Sequence, residues 1–76
     1  MSPSFYMGSQ EFTLEWILQL EQWFEVKTEQ DEDAIYIHPK KETYTAAEML
    51  AAITLIGDAR PDECDEDNGW IRLWWD

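Results

Sequence analysis

Six carboxylates and one arginine fall within residues 58–69 (DARPDECDEDNG), between two segments rich in apolar side chains. Such a stretch cannot enter a core, because ionised carboxylates lose far more on desolvation than burial returns. It belongs at the surface, held by whatever folds at its two ends. A second run, Glu29-Gln30-Asp31-Glu32-Asp33, lies mid-chain. With a net −5 in the longer run and −4 in the shorter, the two account for −9 of the chain's formal −12.

That charge alone would suit a disordered chain, but the apolar content does not. Of 76 residues, 45% are hydrophobic, including five Trp, three Tyr and three Phe. Each aromatic buries roughly 150–250 Å², which offsets the small core that a chain of this length can build. One folded domain is expected, residues 11–76, preceded by a flexible or short-strand segment over residues 1–10. In that leader Met7-Gly8-Ser9 reads as a second start or an added sequence. Phe5 and Tyr6 are its candidates for a strand.

Phe12 to Phe24 carries Trp16, Ile17, Leu20, Trp23 and Phe24 at helical spacing, with Thr13 placed as N-cap and Glu15 in the first turn. The alternation of residues 11–16 offers a strand there instead, but it collapses at Ile17-Leu18, and the helix is preferred. Residues 24–28 and 34–38 alternate with β-branched residues around the shorter acidic run, as an antiparallel hairpin would. Val26 and Thr28 then share a side with Ile35 and Ile37, and Pro39 closes the second strand. Thr45 and Glu48 form a capping box, with Tyr44 and Met49 as its staple. The helix they open is predicted over residues 46–56, with Met49, Leu50, Ile53 and Ile56 facing the core and Gly57 at C′. Asn68-Gly69 marks a turn, and residues 70–75 read as a final strand. On it Ile71, Leu73 and Trp75 share one face, and Trp70, Arg72 and Trp74 the other. The predicted fold is α+β, helix–hairpin–helix–strand (αββαβ), with a mostly antiparallel sheet carrying helices on one face.

The chemistry in these residues is that of binding. There is no nucleophile motif and no glycine-rich phosphate loop. Cys64 lies among carboxylates that disfavour a thiolate. A single cysteine makes no intramolecular disulfide, and one Cys with one His is too few for a zinc site. Glu63, Asp65 and Asp67 have the alternate spacing of a calcium loop, but the glycine and the twelfth-position Glu are misplaced. No enzyme activity, cofactor or metal is expected. No apolar run approaches ~18 residues and no signal-peptide layout opens the chain, which fits the cytoplasm. His38, Lys40 and Lys41 are the one basic cluster, at a strand end.

An acidic surface repels nucleic acid and anionic lipid and favours a basic protein. The expected partner is therefore a basic, nucleic-acid-binding protein, with no direct contact to nucleic acid or membrane. The expected contacts are Glu29, Asp31, Glu32 and Asp33 from the first run and Asp58, Asp62, Glu63, Asp65, Glu66 and Asp67 from the second. Trp70, Arg72 and Trp74 supply the residue types that dominate binding hot spots. In an extended segment carboxylates advance about 3.3 Å per residue, close to the roughly 3.4 Å between charges along one DNA strand. In size and charge the chain resembles, by composition alone, the phage-encoded nucleic-acid mimics that act on host defence or transcription, anti-CRISPR proteins among them. Three other readings stay open. The acid serves solubility or salt adaptation, the Trp70/Arg72/Trp74 face serves an adaptor or a homo-oligomer (monomer or weak dimer), or the N-terminal segment or first helix covers that face.

Overall fold

Asn68 and Gly69 both adopt positive φ, 52° and 86°, which is what a two-residue hairpin turn matched to the twist of its strands requires. In the computed structural model of the chain, which describes residues 4–8 and 10–76 (Gln30 by its backbone only), this turn folds the acidic stretch back as a strand. Glu63–Asp67 (β5) pairs antiparallel with Trp70–Trp74 (β6). The sequence reading of residues 58–69 as a loop is thereby corrected. All five β5 side chains are exposed, so no apolar period betrays the strand. Its pairing with β6 and the Asn-Gly turn make it.

The remaining elements are, in order, β1 (Ser4–Met7), β2 (Gln10–Thr13), α1 (Leu14–Leu20), β3 (Phe24–Glu29), a 3₁₀ turn (Gln30–Glu32), β4 (Ala34–Pro39) and α2 (Ala46–Ala59). The class is α+β, with the order ββαββαββ rather than αββαβ. β1 and β2 form a hairpin of their own, and the main sheet runs β3-β4-β6-β5. Every strand pair among the described residues is antiparallel. The β3–β4 register pairs Val26 with Ile37 and Thr28 with Ile35, as their alternation implies.

The helix expected over 12–24 is shorter at both ends. Thr13 does cap it, its hydroxyl accepting from the Trp16 amide at 3.3 Å, but the alternation before it is a real strand, β2. After Leu20 the amides of Gln22 and Trp23 bond to the carbonyls of Gln19 and Leu20, a tightened turn that releases Phe24 into β3. The Trp23 carbonyl then accepts from the Lys40 amide and the Tyr44 hydroxyl, tying the start of one hairpin strand to the end of the other.

Met7, Phe12, Ile17, Leu20, Ile35, Ile37, Leu73 and Trp75 form the core on one face of the sheet, under α1, α2 and the β1–β2 hairpin. Trp75, just past β6, joins these parts. Its ring meets Phe12 edge-on at 4.8 Å, its indole N–H donates to the Ala59 carbonyl at 2.8 Å, and its amide donates to Asp33 O at 3.0 Å. Gly8 sits against the same corner. Its φ is +60° and a Cβ there would collide with the Asp76 backbone, so glycine is required on both counts.

α2 departs from expectation in two ways. It runs through Gly57 to Ala59 and stops at Arg60, which takes the left-handed conformation (φ 52°). Pro61 cannot continue a helix and disfavours α geometry in the residue before it. Met49, Leu50 and Ile53, expected in the core, are exposed. The helix is rolled so that Ala52 and Ala59 are buried and Leu55 and Ile56 half-buried. Two indoles fix that roll, Trp16 donating to the Leu55 carbonyl at 3.0 Å and Trp75 to that of Ala59.

The capping box forms as read. The Thr45 hydroxyl accepts from the Glu48 amide at 3.1 Å, and the Glu48 carboxylate accepts from the Thr45 amide at 3.0 Å. Tyr44 stacks on Phe24. The Lys41 ammonium beside Glu48, and then the Thr45 amide, hold the Glu48 carboxyl below its ordinary value of 4.5. A depressed carboxylate stabilises the fold above its unfolded-state pKa, and that contribution is lost as pH falls through the folded value. Carboxyl NMR titration should therefore place the Glu48 midpoint below that of an ordinary Glu. Lys41→Met should move it upward, and an unchanged midpoint would remove the Lys41 contact from the account.

Candidate binding face

Alternation along β6 sends Ile71 and Leu73 toward the helices and leaves Trp70, Arg72 and Trp74 on the opposite face, where none of the described helices lies. The reading in which the N-terminal segment or first helix covers this face is corrected for α1 and for the described residues of that segment, which pack on the core side; residues 1–3 and 9 lie outside the described residues. Strand register then builds the face in rows. Glu63 pairs with Trp74, which pairs with Ala34, which pairs with Glu29. One step on, Asp65, Arg72, Tyr36 and Lys27 line up in the same way. In the third row Asp67 pairs with Trp70, whose ring lies 5.2 Å from that of His38, itself paired with Glu25.

The result is an aromatic strip two strands wide with carboxylate-bearing strands along both edges. Glu63, Asp65 and Asp67 form one column on β5, and Glu25 and Glu29 flank Lys27 on β3. Three inter-strand steps set the columns about 14 Å apart. Within the β5 column same-face carboxylates recur every ~6.8 Å, because a strand alternates its faces. That corrects the per-residue spacing taken from the sequence. The comparison with DNA survives in another form. Successive phosphates advance ~3.4 Å along the axis while turning through about a tenth of a revolution, so they lie roughly 6–7 Å apart through space.

Two cations lie inside this field. Arg72 Nη1 is 3.6 Å from Asp65 Oδ2, and Lys27 Nζ is 3.1 Å from Glu29 Oε1. Both pairs are solvent-accessible and are worth little as stabilising contacts. Their effect is to orient the side chains. Tyr36 O–H donates to Glu32 Oε2 at 2.9 Å. That hydrogen bond, with lesser desolvation, raises the phenol above its ordinary 10.0, while Arg72 opposes the shift. A groove of about 330 Å³ runs over Tyr36, bordered by Lys27, Glu32 and Trp70.

No family model matches the chain, and neither a curated protein nor a solved structure matches it.

The thirteen residues expected from the sequence divide. Glu29, Glu63, Asp65, Asp67, Trp70, Arg72 and Trp74 share the face, and Glu32 reaches it through Tyr36. Asp31 is exposed beside it in the 3₁₀ turn. Four are placed elsewhere. Glu66, with Cys64, points to the other side of β5 by alternation. Asp58 is in the last turn of α2. Asp33 Oδ1 accepts from the Gly8 amide at 2.9 Å and Asp62 Oδ2 from the Asp76 amide at 2.7 Å, so these two hold chain segments together. Sequence reasoning missed Glu25, Lys27, Tyr36 and His38 as members of the face. Their parity, opposite to Val26, Ile35 and Ile37, was the available signal, but only the β4–β6 pairing brings them beside Trp70 and Arg72. Among the described residues, no three His, Cys, Asp or Glu are grouped to hold a metal ion, and no described helix is long and apolar enough to cross a membrane.

Proposed function

We propose that the chain is a non-enzymatic binding protein that occupies the basic, nucleic-acid-binding surface of a target protein through the helix-free face of its main sheet. The observation that carries this reading is the row structure of that face, with flat aromatic groups running between two columns of carboxylates. DNA has the same plan, stacked bases between two phosphate chains, and its major groove is roughly 12 Å wide against about 14 Å between the carboxylate columns. Arg and Lys that grip phosphates in the target would pair with Glu63, Asp65 and Asp67 on one side and Glu25, Glu29 and Glu32 on the other. Trp70, Trp74 and Tyr36 would supply desolvated contact area, which gives hot-spot energy that exposed ion pairs do not. The net charge of −12 would accelerate encounter with a basic surface. The setting that suits such a target and a free thiol is the cytoplasm, a host's cytoplasm if the gene is a phage's.

Salt tests the reading. For a target captured from a host lysate, affinity should fall at least tenfold between 50 and 300 mM NaCl, because the pairing is ionic. A nearly flat response would sink it and favour the adaptor alternative, in which the tryptophans bind and the acid only keeps the chain soluble.

A further inference from the structure

α1 and α2 meet where the Trp16 indole reaches the Leu55 carbonyl, and on their solvent side a furrow of about 530 Å³ runs between them. From α2 it takes Ala47, Ala51 and Leu55 as its base and Leu50, 67% exposed, as its outer lip. Gln19 and the half-buried Trp23 form the opposite wall. At Asp58 the furrow meets a second hollow of about 160 Å³, bordered by Glu11 and Thr13. From Ala47 to Ala59 the two together follow α2 for about 18 Å, at 1.5 Å per residue.

Each property of this furrow selects a property of its occupant. Leu50, Leu55 and Trp23 give it apolar walls, and exposed apolar surface of this kind marks an interaction site, so the occupant brings an apolar row. The backbones on either side are helical and bonded internally, so the furrow offers no strand edge. An extended peptide laid there would leave its own N–H and C=O groups without partners, whereas a helix satisfies its backbone itself. Charge sets the third property. Neither α1 nor α2 contains a Lys or Arg, and their acids are Glu15, Glu48 and Asp58. Glu48 is paired with Lys41, but Asp58 lines the furrow, and Glu15 stands one turn before Gln19 on the same side of α1. The negative end of the α2 dipole lies beside Asp58 and adds to it, while Arg60 at the α2 C-cap offsets one of these charges. The occupant is therefore cationic. A second copy of this chain, itself at −12, nucleic acid and anionic lipid are all repelled.

We infer that the α1–α2 furrow binds a cationic amphipathic helix of a partner protein. Its apolar row sits on Leu50, Leu55 and Trp23, and its Lys or Arg side chains pair with Glu15 and Asp58. Helix-in-groove recognition uses anchors at i, i+3 or i+4, and i+7, which span about 10.5 Å and fit within the furrow. The site lies across the main sheet from the aromatic–acidic face. The inference therefore stands apart from the reading of that face, and the two surfaces are open to different partners at once.

The probe is a synthetic peptide of about fourteen residues with Leu along one helical face and Lys on the other, titrated into the 15N-labelled full chain at 150 mM NaCl. The expected result is saturable binding at micromolar concentration, with amide shifts concentrated in residues 13–23 and 46–60 and a gain in peptide helicity. Leu50→Ser should weaken binding at least tenfold, as loss of a central apolar anchor does. Glu15→Gln with Asp58→Asn should weaken it about fivefold, the range of two exposed ion pairs. Glu66→Ser, a carboxylate outside both sites, should change it less than twofold. All four side chains are exposed, so circular dichroism of each variant should match the parent. Shifts that follow the β3 and β5 carboxylates instead would overturn the inference. So would unchanged binding to Leu50→Ser, equal affinity for a peptide with Gln in place of Lys, or no saturation by 500 µM.

Discussion

Trp75→Ala should strip the chain of much of its stability at 25 °C. Truncating a buried tryptophan costs about 3–5 kcal/mol, and a chain of this length has roughly 4–11 kcal/mol of total stability. The loss here belongs at the upper end because the Trp75 side chain is almost fully buried and joins two other parts of the fold. Its ring packs on Phe12 of the N-terminal hairpin, and its indole N–H satisfies a carbonyl in the last turn of α2. That carbonyl is one of the four a helix leaves unpaired at its C-terminus. Trp75→Phe keeps most of the ring contact and removes the donor, so it should cost about 1–3 kcal/mol and still fold cooperatively. Urea unfolding followed by far-UV circular dichroism separates the three proteins. A Trp75→Ala variant within 1 kcal/mol of the parent would show that the Trp75 contacts with Phe12 and Ala59 do not close the core.

The second large effect concerns binding. Replacing Glu63, Asp65 and Asp67 together with Ser removes one carboxylate column and leaves both tryptophans in place. Affinity for the target should fall at least a hundredfold, about 2.7 kcal/mol, with most of the change in the association rate and its salt dependence. Stability should not fall with it. All three side chains are exposed and the chain's self-repulsion is relieved. The control is Asp58→Ser with Glu66→Ser, two carboxylates of the same acidic stretch that lie off the face. Those changes should reduce affinity by less than about threefold, the size expected from long-range charge alone. Equal losses from both variants would mean that total charge matters and the face does not.

That contrast also shows what the sequence could and could not reveal. Thr45 and Glu48 announce α2 through local hydrogen-bond chemistry, and local chemistry is present in local sequence. The parities of Val26, Ile35, Ile37, Ile71 and Leu73 are legible for a similar reason, since a strand with one buried face writes a period of two into its residues. β5 has no buried face, so Glu63 to Asp67 carry no period, and only the Asn68-Gly69 turn hinted at a partner strand. The roll of α2 was illegible because the helix is apolar nearly all round. Met49, Leu50 and Ile53 look as fit for the core as Leu55 and Ile56, and the choice is made by Trp16 and Trp75, distant in sequence. The same limit applies to the candidate face. Trp70, Arg72 and Trp74 could be read from one strand, but Tyr36 and Lys27 join them only through strand order.

If this face takes the place of nucleic acid, the chain and DNA exclude each other on the target. The direct measurement is a competition titration in which a fluorescent duplex DNA is bound to the captured target and displaced by the chain. Full displacement is expected, with a half-displacement concentration that rises linearly with DNA concentration as mutual exclusion requires, and the Glu63/Asp65/Asp67→Ser variant should displace at least a hundredfold more weakly. A ternary complex in which target, DNA and chain are bound together would contradict it.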